Sequence, residues 1–151
     1  MNPKDLIKQY LGQRNVMQLA TSVNDQPYVC NVHFYADDQL NLYWISTEAR
    51  RHSQELAQNP KVSAAILIHE NTPAENYVIG LTIIGTVEFL GKTVDSEIAA
   101  GYINKLQKEP SLIEEIASGQ NPHRFYRLTP SSFVLFDSKN FPQDPRQEVP
   151  L

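Results

Sequence analysis

A single cysteine in 151 residues, Cys30, leaves no partner for an internal disulfide, which fits a reducing cytoplasm. No apolar run nears the roughly 18 residues of a membrane span. The opening MNPKDLIKQY carries Asp5 and no apolar core segment, so neither a membrane helix nor a signal peptide is expected. Basic residues are outnumbered, 13 Lys and Arg against 17 Asp and Glu, for a net charge of −4. That balance lacks the broad positive field of a nucleic-acid binder. The motifs GxSxG, HExxH, GxGxxG and the P-loop do not occur, which removes the common hydrolase, protease, dinucleotide and NTPase readings. His33, His52, His69 and His123 fall into no ligand spacing, so no metal site is expected. What remains is ordinary for one folded domain over residues 1–151: 41% hydrophobic, 20% charged, no repeat and no low-complexity tract.

The periodicity is mostly that of strands. Asn2 as N-cap, Pro3 at the first helical position and Gly12 as stop predict a short helix over the first twelve residues. Val16 to Val23 alternates, Asn24-Asp25-Gln26 turns, and Pro27 to Tyr35 and Leu40 to Ile45 follow as strands, reading as a three-strand meander. Arg51 to Gln58 reads as a helix stopped by Asn59-Pro60, and Val62 to Ile68 as a strand. Val78 to Leu90 is too long for one flat sheet, so bends are expected at Gly80 and Gly85. Asp95 to Lys108 is an amphipathic helix, and Ser111 to Glu114 has the spacing of a capping box before another. Two last strands flank Thr129-Pro130, and residues 138–151 read as an extended tail. Strands this closely spaced leave no room for helical crossovers. The expectation is a mainly β protein, a six- to seven-stranded antiparallel split barrel with a few helices.

The chemistry concentrates in Ser46-Thr47-Glu48-Ala49-Arg50-Arg51-His52, between a strand end and a helix start. Hydroxyls, guanidiniums and an imidazole beside free helix-start amides suit a phosphate. A solvated loop with two surface arginines accounts for the same residues. Cys30 falls on the apolar face of its strand, as a small core residue would.

The order of features resembles the pyridoxamine 5′-phosphate oxidase-like, flavin-binding split-barrel family. The segments that carry it are Met17-Gln18-Leu19-Ala20-Thr21-Ser22, Gln26-Pro27-Tyr28-Val29, and Leu42-Tyr43-Trp44-Ile45-Ser46-Thr47. They continue with Arg51 through Asn59-Pro60-Lys61-Val62, then Ile84-Gly85-Thr86-Val87-Glu88, and Tyr126-Arg127-Leu128-Thr129-Pro130. The resemblance implies bound FMN, with Arg51 gripping the flavin phosphate, His52 where a lysine is usual, and Ser46 or Thr47 as the strand-end hydroxyl. Asn31, Val32 and His33 would meet the isoalloxazine edge. It also implies a homodimer with the flavin at the subunit interface and an unknown small-molecule substrate, with no nucleic acid and no membrane involved. No catalytic residue is singled out. The chain ends in Asp144 to Leu151 with one Arg and no His, where true pyridoxamine phosphate oxidases carry a basic substrate-binding segment. A different substrate is therefore expected. Two other readings stay open: the same barrel holding haem or a deazaflavin, or storing flavin without turnover, and an interaction protein with an empty cleft.

Overall fold

The computed structural model describes residues 1–151. β1 (Val16–Val23) and β2 (Gln26–His33) form an antiparallel hairpin across Asn24 and Asp25. Both turn residues have positive φ, the conformation that two-residue hairpins favour. The meander stops there. β3 (Tyr35–Ala36) pairs with β4 (Leu42–Thr47), and β4 pairs with β7 (His123–Asp137) rather than with β2. With β5 (Lys61–His69) and β6 (Ile79–Gly91), the strand order is β2-β1-β5-β6-β7-β4-β3, antiparallel throughout. Its two ends, β2 and β3, are separated in the chain only by Phe34, which is fully buried. The sheet therefore curls around a core, as expected for a split barrel.

The split is visible in β7. One edge of this strand runs along β6, while the other is shared between β4, on residues 123–128, and β8 (Arg146–Pro150), on residues 132–136. The two strands expected around Thr129-Pro130 are thus one strand. Ser131 is left unpaired where the register shifts opposite Ile84 and Gly85, and its hydroxyl donates to the Ile84 carbonyl at 3.1 Å. Proline is tolerated at such a bulge because the ladder is already interrupted. Of the two glycines expected at bends, Gly85 carries this shift against β7, while Gly80 pairs in register with Phe136 on β7 and adjoins a shift on its β5 side, between Leu67 and His69. The extended tail is also partly a strand, since β8 extends the sheet as an eighth member.

α1 (Pro3–Gln13) is capped as expected, with the Asn2 side chain accepting from the Lys4 amide at 2.9 Å. Gly12 does not stop it, because packing of Leu6, Ile7, Tyr10 and Leu11 into the core carries the helix through the glycine. α2 (Arg51–Gln58) has the expected bounds, and α3 (Ser96–Leu106) and α4 (Ser111–Ala117) follow β6. Pro110 occupies the cap of α4 and Ser111 its first turn, so the capping box does not form. Close approach fixes α3 on β3: a Cβ on Gly101 would lie 2.2 Å from the Tyr35 ring. No helix is long and apolar enough to cross a membrane.

Candidate functional site

The end of β2, the end of β4, the start of α2 and the α3–α4 connection surround a cleft of about 700 Å³. Five of the seven residues expected at a flavin site line it: Asn31, Val32, His33, Ser46 and His52. Ser46 is buried, and its Oγ lies 3.0 Å from His52 Nε2. Thr47 lies outside the lining, and its carbonyl accepts from the Arg50 amide at 3.3 Å, closing the turn that delivers Arg50.

Arg51 is also outside the lining. Its Nε donates to Glu55 Oε2 at 2.7 Å, and its guanidinium carbon sits 4.1 Å from the centroid of the Tyr28 ring. Glu55 is buried and accepts a second bond from Thr21 Oγ1 at 2.8 Å, and the Arg51 bond, then the Thr21 bond, holds its carboxyl below the usual carboxylate range. Arg51 thereby fastens α2 to β1 and β2.

Arg50, the other guanidinium of the Ser46–His52 segment, lines the cleft instead, together with Lys108, Tyr102, Asn121 and His123, four residues the sequence did not point to as site residues. Neither Arg50 nor Lys108 takes part in any ion pair of the structure. Glu109 and Glu115 also line the cleft, so the cations are not its only charges. The α2 N-terminus adds to them: Arg50 is the N-cap with no side-chain bond to the first amides, and the first helical acceptance is Gln54 N to Arg50 O. The amides of the first turn are therefore left for another acceptor.

Two imidazoles report the local field. Burial first, and then the Arg50 charge, hold His52 below its ordinary pKa. His123 is lowered by burial, then by Arg50 and Lys108. His123 Nδ1 lies 2.7 Å from Asn121 Oδ1, which also accepts the His123 amide at 2.9 Å. That oxygen only accepts, so the neutral ring carries its proton on Nδ1 and Nε2 is the atom that titrates. Burial pushes the Tyr102 phenol up to about 12, so it remains a neutral donor. The cleft thus brings two cations that are in no ion pair together with neutral donors in a partly dry setting, beside the carboxylates of Glu109 and Glu115. The cations and donors are the groups able to hold a small anion.

The sequence profile of the pyridoxamine 5′-phosphate oxidase family matches residues 3–135. Among curated proteins, none matches this sequence. Similar solved structures include the haem storage protein HutZ of Vibrio cholerae, at 22% identity over 86% of this chain and 91% of that one, with a TM-score of 0.64. A FAD-binding protein of Mesorhizobium loti is similar at 19% identity over 88% and 92% of the two chains, with a TM-score of 0.60. A conserved hypothetical protein of Mycobacterium tuberculosis reaches a TM-score of 0.72 at 14% identity, over 94% and 88%. These likenesses speak to the fold.

Proposed function

The chain belongs to the pyridoxamine 5′-phosphate oxidase family, and from that premise we propose that it is a flavoprotein holding FMN in the cleft at the start of α2, acting as an oxidoreductase on a small molecule. The observation that carries the reading is that Arg50 and Lys108, neither in an ion pair, line one cleft at the start of α2, where the first amides have no side-chain cap. Arg50 offers a planar fork to phosphate oxygens and Lys108 a point charge. Ser46 and neutral Tyr102 supply hydroxyl donors, and β2 residues Asn31 to His33 form the wall for the ring. Bound flavin supplies the electron chemistry, while these residues bind, orient and exclude water. The absorbance of purified protein after incubation with FMN is the direct test, and a protein that leaves the FMN spectrum unchanged overturns the reading. A haem reading has one observation in its favour, the three histidines His33, His52 and His123 along the same cleft. A Soret band in the purified protein, with no flavin bands, would replace the first reading by the second.

The cluster carries a pH signature. In the free protein His52 and His123 are held below the ordinary histidine range, so both are mostly neutral at pH 7. A bound phosphate dianion favours the charged rings and raises both pKa values, so binding takes up protons between the free and the bound values. FMN affinity is then strongest below that window and falls as pH rises through the bound-state values. Phosphate gains its second charge near pH 6 or so, so the profile is read above about pH 6.5. Riboflavin, titrated alongside, should give a flat line. An FMN profile that is equally flat would take both histidines out of the phosphate site.

The reading includes a homodimer, supported by the outer face of the sheet. The row Val29, Ala20, Ser63, Ile84, Ser132 and the row Leu67, Gly80, Phe136 lie on one face with Asn31, Gln18, Ala65, Thr82 and Val134 between them. None of these residues is charged, and Val29, Leu67, Ile84 and Phe136 are all exposed. This uncharged patch, bordered on β8 by Arg146 and Glu148, is where a second copy docks. Asn31 belongs both to this face and to the cleft, so a second copy would border the flavin. Ile84→Glu should convert a dimer to a monomer by light scattering at low micromolar concentration, with a loss of FMN affinity. A native protein that is already monomeric and binds FMN stoichiometrically would exclude the shared arrangement.

A further inference from the structure

α2 borders a second cavity. Separate from the cationic cleft, Ser53, Leu56 and Ala57 line a cleft of about 290 Å³ closed on its far side by Val87, Phe89 and Tyr126, with Glu48 also in the lining. Phe89 is 51% exposed, although it is a whole phenyl ring. It stands edge-on to Tyr126, centroids 5.3 Å apart at 65°, and Tyr126 lies flat on buried Trp44 at 5.7 Å and 8°. This three-ring stack makes one wall of the cavity rigid and aromatic. Ser53 is 4% exposed, and its hydroxyl faces the Tyr126 phenol, whose pKa it lowers against the larger upward push of burial. Glu48 carries no ion pair.

We infer that this cleft is a second small-molecule site, built for a flat apolar compound of one or two rings that carries a protonated amine. The ring would cover Phe89 and lie against Leu56 and Val87, and the amine would meet Glu48, with the faces of Tyr126 and Phe89 favouring a cation further. A dry cavity of about 150 Å³ accepts benzene, so this volume takes two fused rings. It does not take a three-ring isoalloxazine with its phosphate chain, and it lacks a basic residue for one. The site is thus distinct from the cationic cleft in both size and charge.

Calorimetry on the intact chain, with and without FMN, tests this using 1-naphthylmethylamine and 1-naphthoic acid as probes of equal shape and opposite charge. The amine should bind, with the acid at least tenfold weaker. Glu48→Gln should bring the two probes within about threefold of each other. Ala57→Leu, which fills the cleft from an exposed helix position, should abolish amine binding while FMN titrates as before. Absence of amine binding, equal affinity for the two probes in the native chain, or undiminished amine binding by Ala57→Leu would each overturn the proposal. Because FMN is titrated separately, a failure of this site is distinguishable from a failure of the flavin reading.

Discussion

Arg50→Ala should weaken FMN binding by about ten- to a hundredfold while leaving riboflavin binding nearly unchanged. Charge-assisted bonds of a guanidinium to phosphate contribute roughly 1.5–3 kcal/mol each, and riboflavin has no phosphate to lose them. The neighbouring substitution separates two assignments. Arg51→Ala removes the bond to Glu55 and the stack on Tyr28, so it should lower the thermal midpoint and leave the FMN-to-riboflavin preference intact. The family resemblance alone points the other way, to Arg51 as the phosphate arginine. Equilibrium titration of both flavins against both variants decides it. If Arg51→Ala loses FMN selectively and Arg50→Ala does not, α2 turns a different residue to the phosphate in the bound state, and the assignment of Arg50 is wrong. Exposure reinforces the contrast, since Arg51 is tied to a buried carboxylate whereas Arg50 has no partner to release before it binds.

That Arg50 rather than Arg51 lines the cleft was partly written in the sequence. Arg51 and Glu55 stand four apart on a helix, the spacing at which opposite charges meet, and that relation claims Arg51 before any ligand does. Strand identities were similarly legible: β1 and α2 have the bounds that periodicity and Asn59-Pro60 predict, because alternation and a proline stop are local signals. Connectivity was not. Phe34 interrupts an apparently continuous strand and sends the chain to the opposite edge of the sheet, and nothing in the run Val32-His33-Phe34-Tyr35 distinguishes that from a straight continuation. Lys108 and His123 reach the cleft only because the barrel closes, bringing the α3–α4 connection and the start of β7 beside β4. Such residues are separated from Arg50 by more than fifty positions, so their convergence is a property of topology rather than of spacing. The motif around Ser46 to His52 was legible because it sits in one loop.

Gly85→Ala should be among the most destabilising single substitutions in the chain, and Gly80→Ala among the mildest, although both glycines lie in β6. A Cβ on Gly85 would stand 2.3 Å from the Thr129 carbonyl oxygen and 3.0 Å from the Pro130 Cα. Those are backbone atoms of β7 beside the bulge at Ser131, paired to β6 at Thr86 and Gly85, so they cannot move aside as a side chain would. Relief requires opening the register shift that lets β6 and β7 bend together. Overpacking of this kind costs about 3 kcal/mol, which for a chain of this length lowers the melting temperature by about 10 °C. At Gly80 an added Cβ meets nothing within 4 Å, and alanine there restricts only the unfolded chain. Its expected effect is a stabilisation of about 0.5 kcal/mol. The bend also has a functional consequence, because Val87 and Phe89 lie beyond it and reach Tyr126 and α2 only if β6 turns at Gly85. Thermal unfolding of the two variants, followed by circular dichroism, checks the contrast, and amine binding by Gly85→Ala reads the position of Phe89. Two glycine variants with the same melting temperature would mean that the Gly85 contact with Thr129 does not set the curvature of the barrel.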